Sequence, residues 1–106
     1  MRAAPSQEPL PAGWMAAGMV LWALHFTAIY GFTALACSRQ MEAQVPWVVV
    51  SATAVGGLAT AIVVFKGWRG RTAFTGWMTA ALAALALLAM LWEGLSVLGV
   101  PPCGVR

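Results

Sequence analysis

Three long apolar runs dominate the chain, at Trp14 to Ala36, Trp47 to Phe65 and Phe74 to Leu98. They are 23, 19 and 25 residues long; the first two carry no formal charge with His25 neutral, and the third carries only Glu93. A helix rises about 1.5 Å per residue and the hydrocarbon layer is about 30 Å thick, so each run is long enough to cross as a helix. Backbone groups in lipid must bond to one another, which leaves helices or closed barrels. The runs lack the alternation of barrel strands. The pattern predicts an all-α membrane protein, a three-transmembrane-helix bundle running up, down, up. The first run is longer than a signal-peptide core and begins only after Pro5, Glu8 and Pro11, so it reads as a retained anchor.

Composition agrees with this pattern and adds an orientation. With 61% hydrophobic and 8% charged residues, the chain has too little polar surface for a soluble domain of 106 residues. Arg2, Lys66, Arg69 and Arg71 fall on one side of a three-span topology, Arg39 and Arg106 on the other. The positive-inside rule then predicts a cytoplasmic N-terminus and a C-terminus, residues 104–106, on the outer side of the membrane. The net charge of +3 acts as an orientation signal, and bases so few and so placed do not suit nucleic acid.

Residues 1–13 are rich in Pro, Ala and polar side chains and predict a flexible cytoplasmic tail. Residues 14–103 form the single transmembrane domain. Trp14, Trp47, Trp68 and Trp77 stand at run boundaries, where indoles anchor to headgroups. Trp22 and Trp92 lie deeper. Pro46 suits the opening of the second helix, where a missing N–H costs little. Residues 66–73 read as a short cytoplasmic turn, and short connections make the helices neighbours.

Small residues recur four apart, as Thr53, Gly57 and Ala61, as Ala52, Gly56 and Thr60, and as Gly76, Ala80 and Ala84. Such stripes let helix backbones approach closely and predict contacts within the chain or with a partner. On the third helix Leu87, Leu88, Leu91, Leu95 and Leu98 form a broad side suited to lipid. Ala86, Ala89, Glu93, Ser96 and Val97 form a side suited to protein.

Few residues carry chemistry. Glu93 stands five residues before the end of its run, on the order of 8 Å of helix. It is paired, protonated or near water, because a bare charge in hydrocarbon is costly. Tyr30, Thr33 and Cys37 share a face of the first helix; a bond from Cys37 to Cys103 would turn that face towards the third helix, which makes Tyr30 the expected hydrogen-bond partner of Glu93. His25 is rotated about 140° from Tyr30 at 100° per residue, and is expected to stay apart from Glu93. Its face includes Trp14, Gly18, Leu21, Ile29 and Phe32 and is expected to meet the second helix or another protein. One histidine does not supply two axial haem ligands within one chain.

Cys37 and Cys103 emerge on the same side, so three chemistries suit them. One is a disulfide, favoured by an oxidising periplasm. The second is copper(I) on two thiolates, with Met41 as a further soft ligand. The third is thiol exchange, which lacks a C-x-x-C pair. No nucleotide loop, triad spacing, zinc-helix motif or paired carboxylate is present, so no catalytic residue is assigned.

The segment from Leu21 to Cys37, with Pro101, Pro102 and Cys103 late in the chain, resembles a group of small three-helix inner-membrane proteins of proteobacteria. These are encoded beside haem–copper cytochrome c oxidase genes. The resemblance implies an accessory or assembly role near the oxidase, with His25, Tyr30, Cys37 and Cys103 as matching positions and no catalytic residues. The leading expectation is therefore a non-enzymatic accessory subunit or assembly factor without a cofactor of its own. Its partners would be the lipid bilayer and larger membrane subunits, or copies of itself. The alternatives are a copper- or thiol-handling protein using the cysteines, and a small oligomeric transporter using Glu93 and His25.

Overall fold

The computed structural model describes residues 11–99, 101 and 103. A 3-10 turn, Ala12–Ala16, leads into α1, Ala17–Ser38. A second turn, Glu42–Gln44, leads into α2, Val45–Arg69, and α3 spans Phe74–Gly99. All three helices are long and apolar enough to cross a membrane, and together they form an all-α three-helix bundle. Among the expected tail residues, 1–10 lie outside the described set, as do 104–106, and Ala12 and Gly13 belong to the leading turn.

The helix ends follow from local chemistry. Ser38 donates its hydroxyl to the Leu35 carbonyl, and Met41 N–H closes on the Ala36 carbonyl at 2.8 Å around Gln40, whose φ is 59°. That left-handed residue ends α1 in the manner of a Schellman turn. Pro46 falls in the first turn of α2, where its lost donor has no intrahelical partner.

At the other end α2 continues through Lys66 and Arg69, which the sequence reading placed in a turn. Two forces extend it. Cations are favourable near a helix C-terminus, and long basic side chains reach polar surroundings along the helix. Lys66 Nζ stands 5.3 Å from the Trp14 ring and the Arg71 guanidinium 4.4 Å from that of Trp68. The basic end thus joins the start of α1 to the end of α2, and the cysteines mark the opposite end.

Each helix buries a narrow stripe. α1 turns in Gly18, His25, Ile29 and Ala36; α2 turns in Val45, Val49, Thr60, Val63 and Gly67. α3 turns in Gly76, Thr79, Ala80, Ala83, Ala86, Met90 and Gly94. The spacing is heptad-like, and the core is made of small residues where two backbones meet. Thr60 and Thr79 are buried without cost because each hydroxyl donates to the carbonyl four residues earlier, Gly56 and Thr75. Of the expected packing positions, Gly76 and Ala80 lie inside and Gly56 meets His25 and Met90. Ala61 and Ala84 are exposed instead. The interior register on α2 runs through Gly56, Thr60 and Val63, which rotates Ala61 outward.

Candidate functional site

Four side chains of the spans, Trp22, His25, Thr53 and Glu93, meet at one level of the bundle. Glu93, on α3, receives the Trp22 indole N–H on Oε2 at 3.0 Å. Its Oε1 lies 3.3 Å from His25 Nδ1. The other ring nitrogen, Nε2, is 3.0 Å from Thr53 Oγ1 on α2. Three helices therefore meet through one chain of polar atoms, Trp22 to Glu93 to His25 to Thr53. The His25 side chain is 2% exposed and that of Glu93 14%.

This arrangement corrects the expected pairing. His25, not Tyr30, faces Glu93. Tyr30 is half-exposed and continues an outer aromatic ladder, with Trp22 to Phe26 at 5.3 Å and Phe26 to Tyr30 at 4.6 Å between ring centroids. The bond at Cys37 does not set the facing of all α1. Cys37 lies near the end of α1 and Cys103 lies beyond the end of α3, so their bond joins ends without fixing rotation. The inward face is set further down, where Gly18 admits the backbone of α3. Gly18 and His25 are seven residues apart and share that face.

Glycines shape the cavity for these side chains. At Gly94, beside Glu93, a Cβ would stand 2.6 Å from Thr53 Oγ1, so only glycine lets α2 bring that hydroxyl in. At Gly56 the nearest atoms are His25 Cδ2 and Met90 Sδ, both at 3.5 Å from an added Cβ. The imidazole is thus boxed by α2 and α3. Trp22 and Gly94 were missed as contributors in the sequence. Their signals were available: Trp22 is three residues before His25 on the same helix, and Gly94 directly follows the only acid in a span.

Cys37 and Cys103 are joined as a disulfide, with Cα atoms 5.6 Å apart. In that state neither sulfur is a thiolate ligand or a nucleophile. His25 and Glu93 are two candidate donors for a metal, and among the described residues no third His, Cys, Asp or Glu joins them. Two concavities adjoin the site. One, of about 220 Å³, lies between Glu93 and the cysteine end and is lined by Tyr30, Thr33, Ser96 and Pro101. The other, of about 520 Å³, is an apolar groove between α2 and α3 that Thr53, Gly57, Ala61, Leu87, Leu91 and Leu95 help to line.

Comparison with protein-family models, with curated proteins and with solved structures returned no match. The site is therefore read from its own geometry.

Thr53→Val tests the polar chain at its α2 end. Valine keeps the shape beside Gly94 and removes only the partner of His25 Nε2. The expected loss is about 1 kcal/mol, the scale of interhelical hydrogen bonds in membranes. Unfolding in mixed detergent micelles measures it, and an unchanged midpoint counts against the contact.

Proposed function

We propose that this chain is a non-enzymatic accessory subunit or assembly factor of a respiratory haem–copper oxidase. It sits in the bacterial inner membrane with the cysteine end periplasmic. The resemblance in the Leu21 to Cys37 segment supplies the oxidase. The cations at one end and the disulfide at the other support the orientation, since basic loops stay cytoplasmic and disulfides persist in oxidising compartments.

The observation that carries a docking role is the outward-turned small-residue stripe. Gly57 and Ala61 line the groove between α2 and α3, walled by Leu87, Leu91 and Leu95. Small residues facing acyl chains give no packing advantage, whereas they let a second helix approach closely. Meanwhile Trp22, His25, Thr53 and Glu93 are engaged with one another within the chain. The occupant that fits is a transmembrane helix of the larger subunit, seated along α2.

Affinity capture from native membranes in mild detergent tests this. The wild type is expected to recover oxidase subunits. Gly57→Leu with Ala61→Leu, which fills the groove without touching the core, is expected to reduce recovery about tenfold, the effect of losing roughly 1.4 kcal/mol of binding. Recovery of the bait alone by the wild type overturns the proposal.

A further inference from the structure

We propose that His25 and Glu93 form a proton-binding site within the membrane, loaded from the cysteine end. This inference stands independently of the oxidase reading. It begins from two atoms. His25 Nδ1 and Glu93 Oε1 are buried, 3.3 Å apart, and neither has another hydrogen-bond partner. Bare lone pairs facing each other at that distance repel, so a proton belongs between them.

The surrounding bonds set the proton count. An indole N–H only donates, so Glu93 Oε2 is an acceptor from Trp22. His25 Nε2, at 3.0 Å from Thr53 Oγ1, has an oxygen acceptor for a proton of its own. One proton on Nε2 and one between Nδ1 and Oε1 give a pair with no net charge. Without the second proton the site holds a net negative charge in hydrocarbon, which is strongly unfavourable. The neutral pair therefore holds two protons, and the bridging one is the ligand.

Among the described residues no charged side chain other than Glu93 lines the adjoining pocket, and Arg39 and Glu42 at the cysteine end are exposed. α1 presents Trp22 and, beyond it, Tyr30; α2 presents Thr53; α3 presents Ser96 along the same pocket. Of these only Tyr30 carries an ionisable group, and it is half-exposed. Lys66, Arg69 and Arg71 are at the opposite end of the bundle. Of the two adjoining concavities, the one lined by Glu93 itself opens towards the cysteine end, whereas the groove between α2 and α3 is lined almost wholly by apolar side chains. The 220 Å³ pocket leads from Glu93 past Thr33 and Ser96 to Pro101, close to the disulfide. Water entering there reaches the carboxyl.

His25 is the only histidine, so isotope-labelled histidine reports a single ring. Magnetic resonance on the full chain in lipid nanodiscs counts the protons. The expected result is either both ring nitrogens protonated, or Nε2 protonated beside a Glu93 carboxyl carbon at its acid position. A singly protonated ring beside a carboxylate overturns the shared proton. Transfer into heavy water then tests the route. Ser96→Leu, at an exposed position of the pocket mouth, is expected to slow exchange of the ring protons about tenfold, a barrier change of roughly 1.4 kcal/mol. Exchange as fast as in the wild type overturns loading from that end. Formation of the disulfide in Ser96→Leu confirms that the variant is folded.

Discussion

Gly67→Val and Gly18→Val are each expected to lower stability by about 2–3 kcal/mol, near the top of the usual range for overpacking. A Cβ at Gly67 would lie 2.6 Å from the Ala80 backbone nitrogen and 2.9 Å from the Gly76 carbonyl oxygen. At Gly18 it would lie 2.6 Å from Ala83 Cα. These obstacles are main-chain atoms, so no rotamer change relieves them. The helices must separate, and with them the buried stripe that includes Ala80 and Ala83. Gly31→Val provides the control, because nothing lies within 4 Å of a Cβ there. Valine costs similar helix propensity at each position, so the difference from Gly31 isolates the collision. Unfolding in detergent micelles gives the comparison, and equal midpoints for all variants would remove these glycines from the account of packing.

Those glycines also show what the sequence did and did not reveal. The spans were legible because runs of this length without charge have few other places to go. The helix ends were less so: Lys66 and Arg69 look like loop residues, yet the C-terminal dipole and the contact of Gly67 with α3 hold them in α2. Stripes of small residues identified α2 and α3 as the contacting faces, but a chain rich in alanine and glycine offers several registers. Choosing between Gly56 and Gly57 as the inward residue required the opposing side chains, His25 and Met90. The rotation of α1 was illegible for another reason. A disulfide at a helix end constrains distance, whereas facing is set by close backbone approach, as at Gly18 against Ala83. Reading His25 from that glycine, seven residues earlier, places it inside the bundle.

Reduction of Cys37–Cys103, or replacement of both by serine, is expected to destabilise the bundle by up to about 4 kcal/mol on the chain-entropy relation. The bond spans a sequence separation of 66 residues, which makes the closed loop long. That figure is a ceiling here, since helices already inserted in a bilayer have lost much of the freedom the relation counts. The loss should also be local. α1 is held to α3 at the basic end by the Gly18–Ala83 approach, and α2 to α3 by Gly67 and Ala80. At the cysteine end the core consists of Ile29, Ala36, Val45 and Val49, with Phe32, Ala52 and Val97 against it. Reduction is therefore expected to speed amide hydrogen exchange most in the last turns of α1 and α3, and least around Ala80 and Ala83. The His25 and Glu93 pair lies between the two regions, bonded across α1, α2 and α3, and sets the boundary. Uniform acceleration along all three helices would show instead that the disulfide holds the whole bundle, and equal exchange in both redox states would show that packing alone suffices.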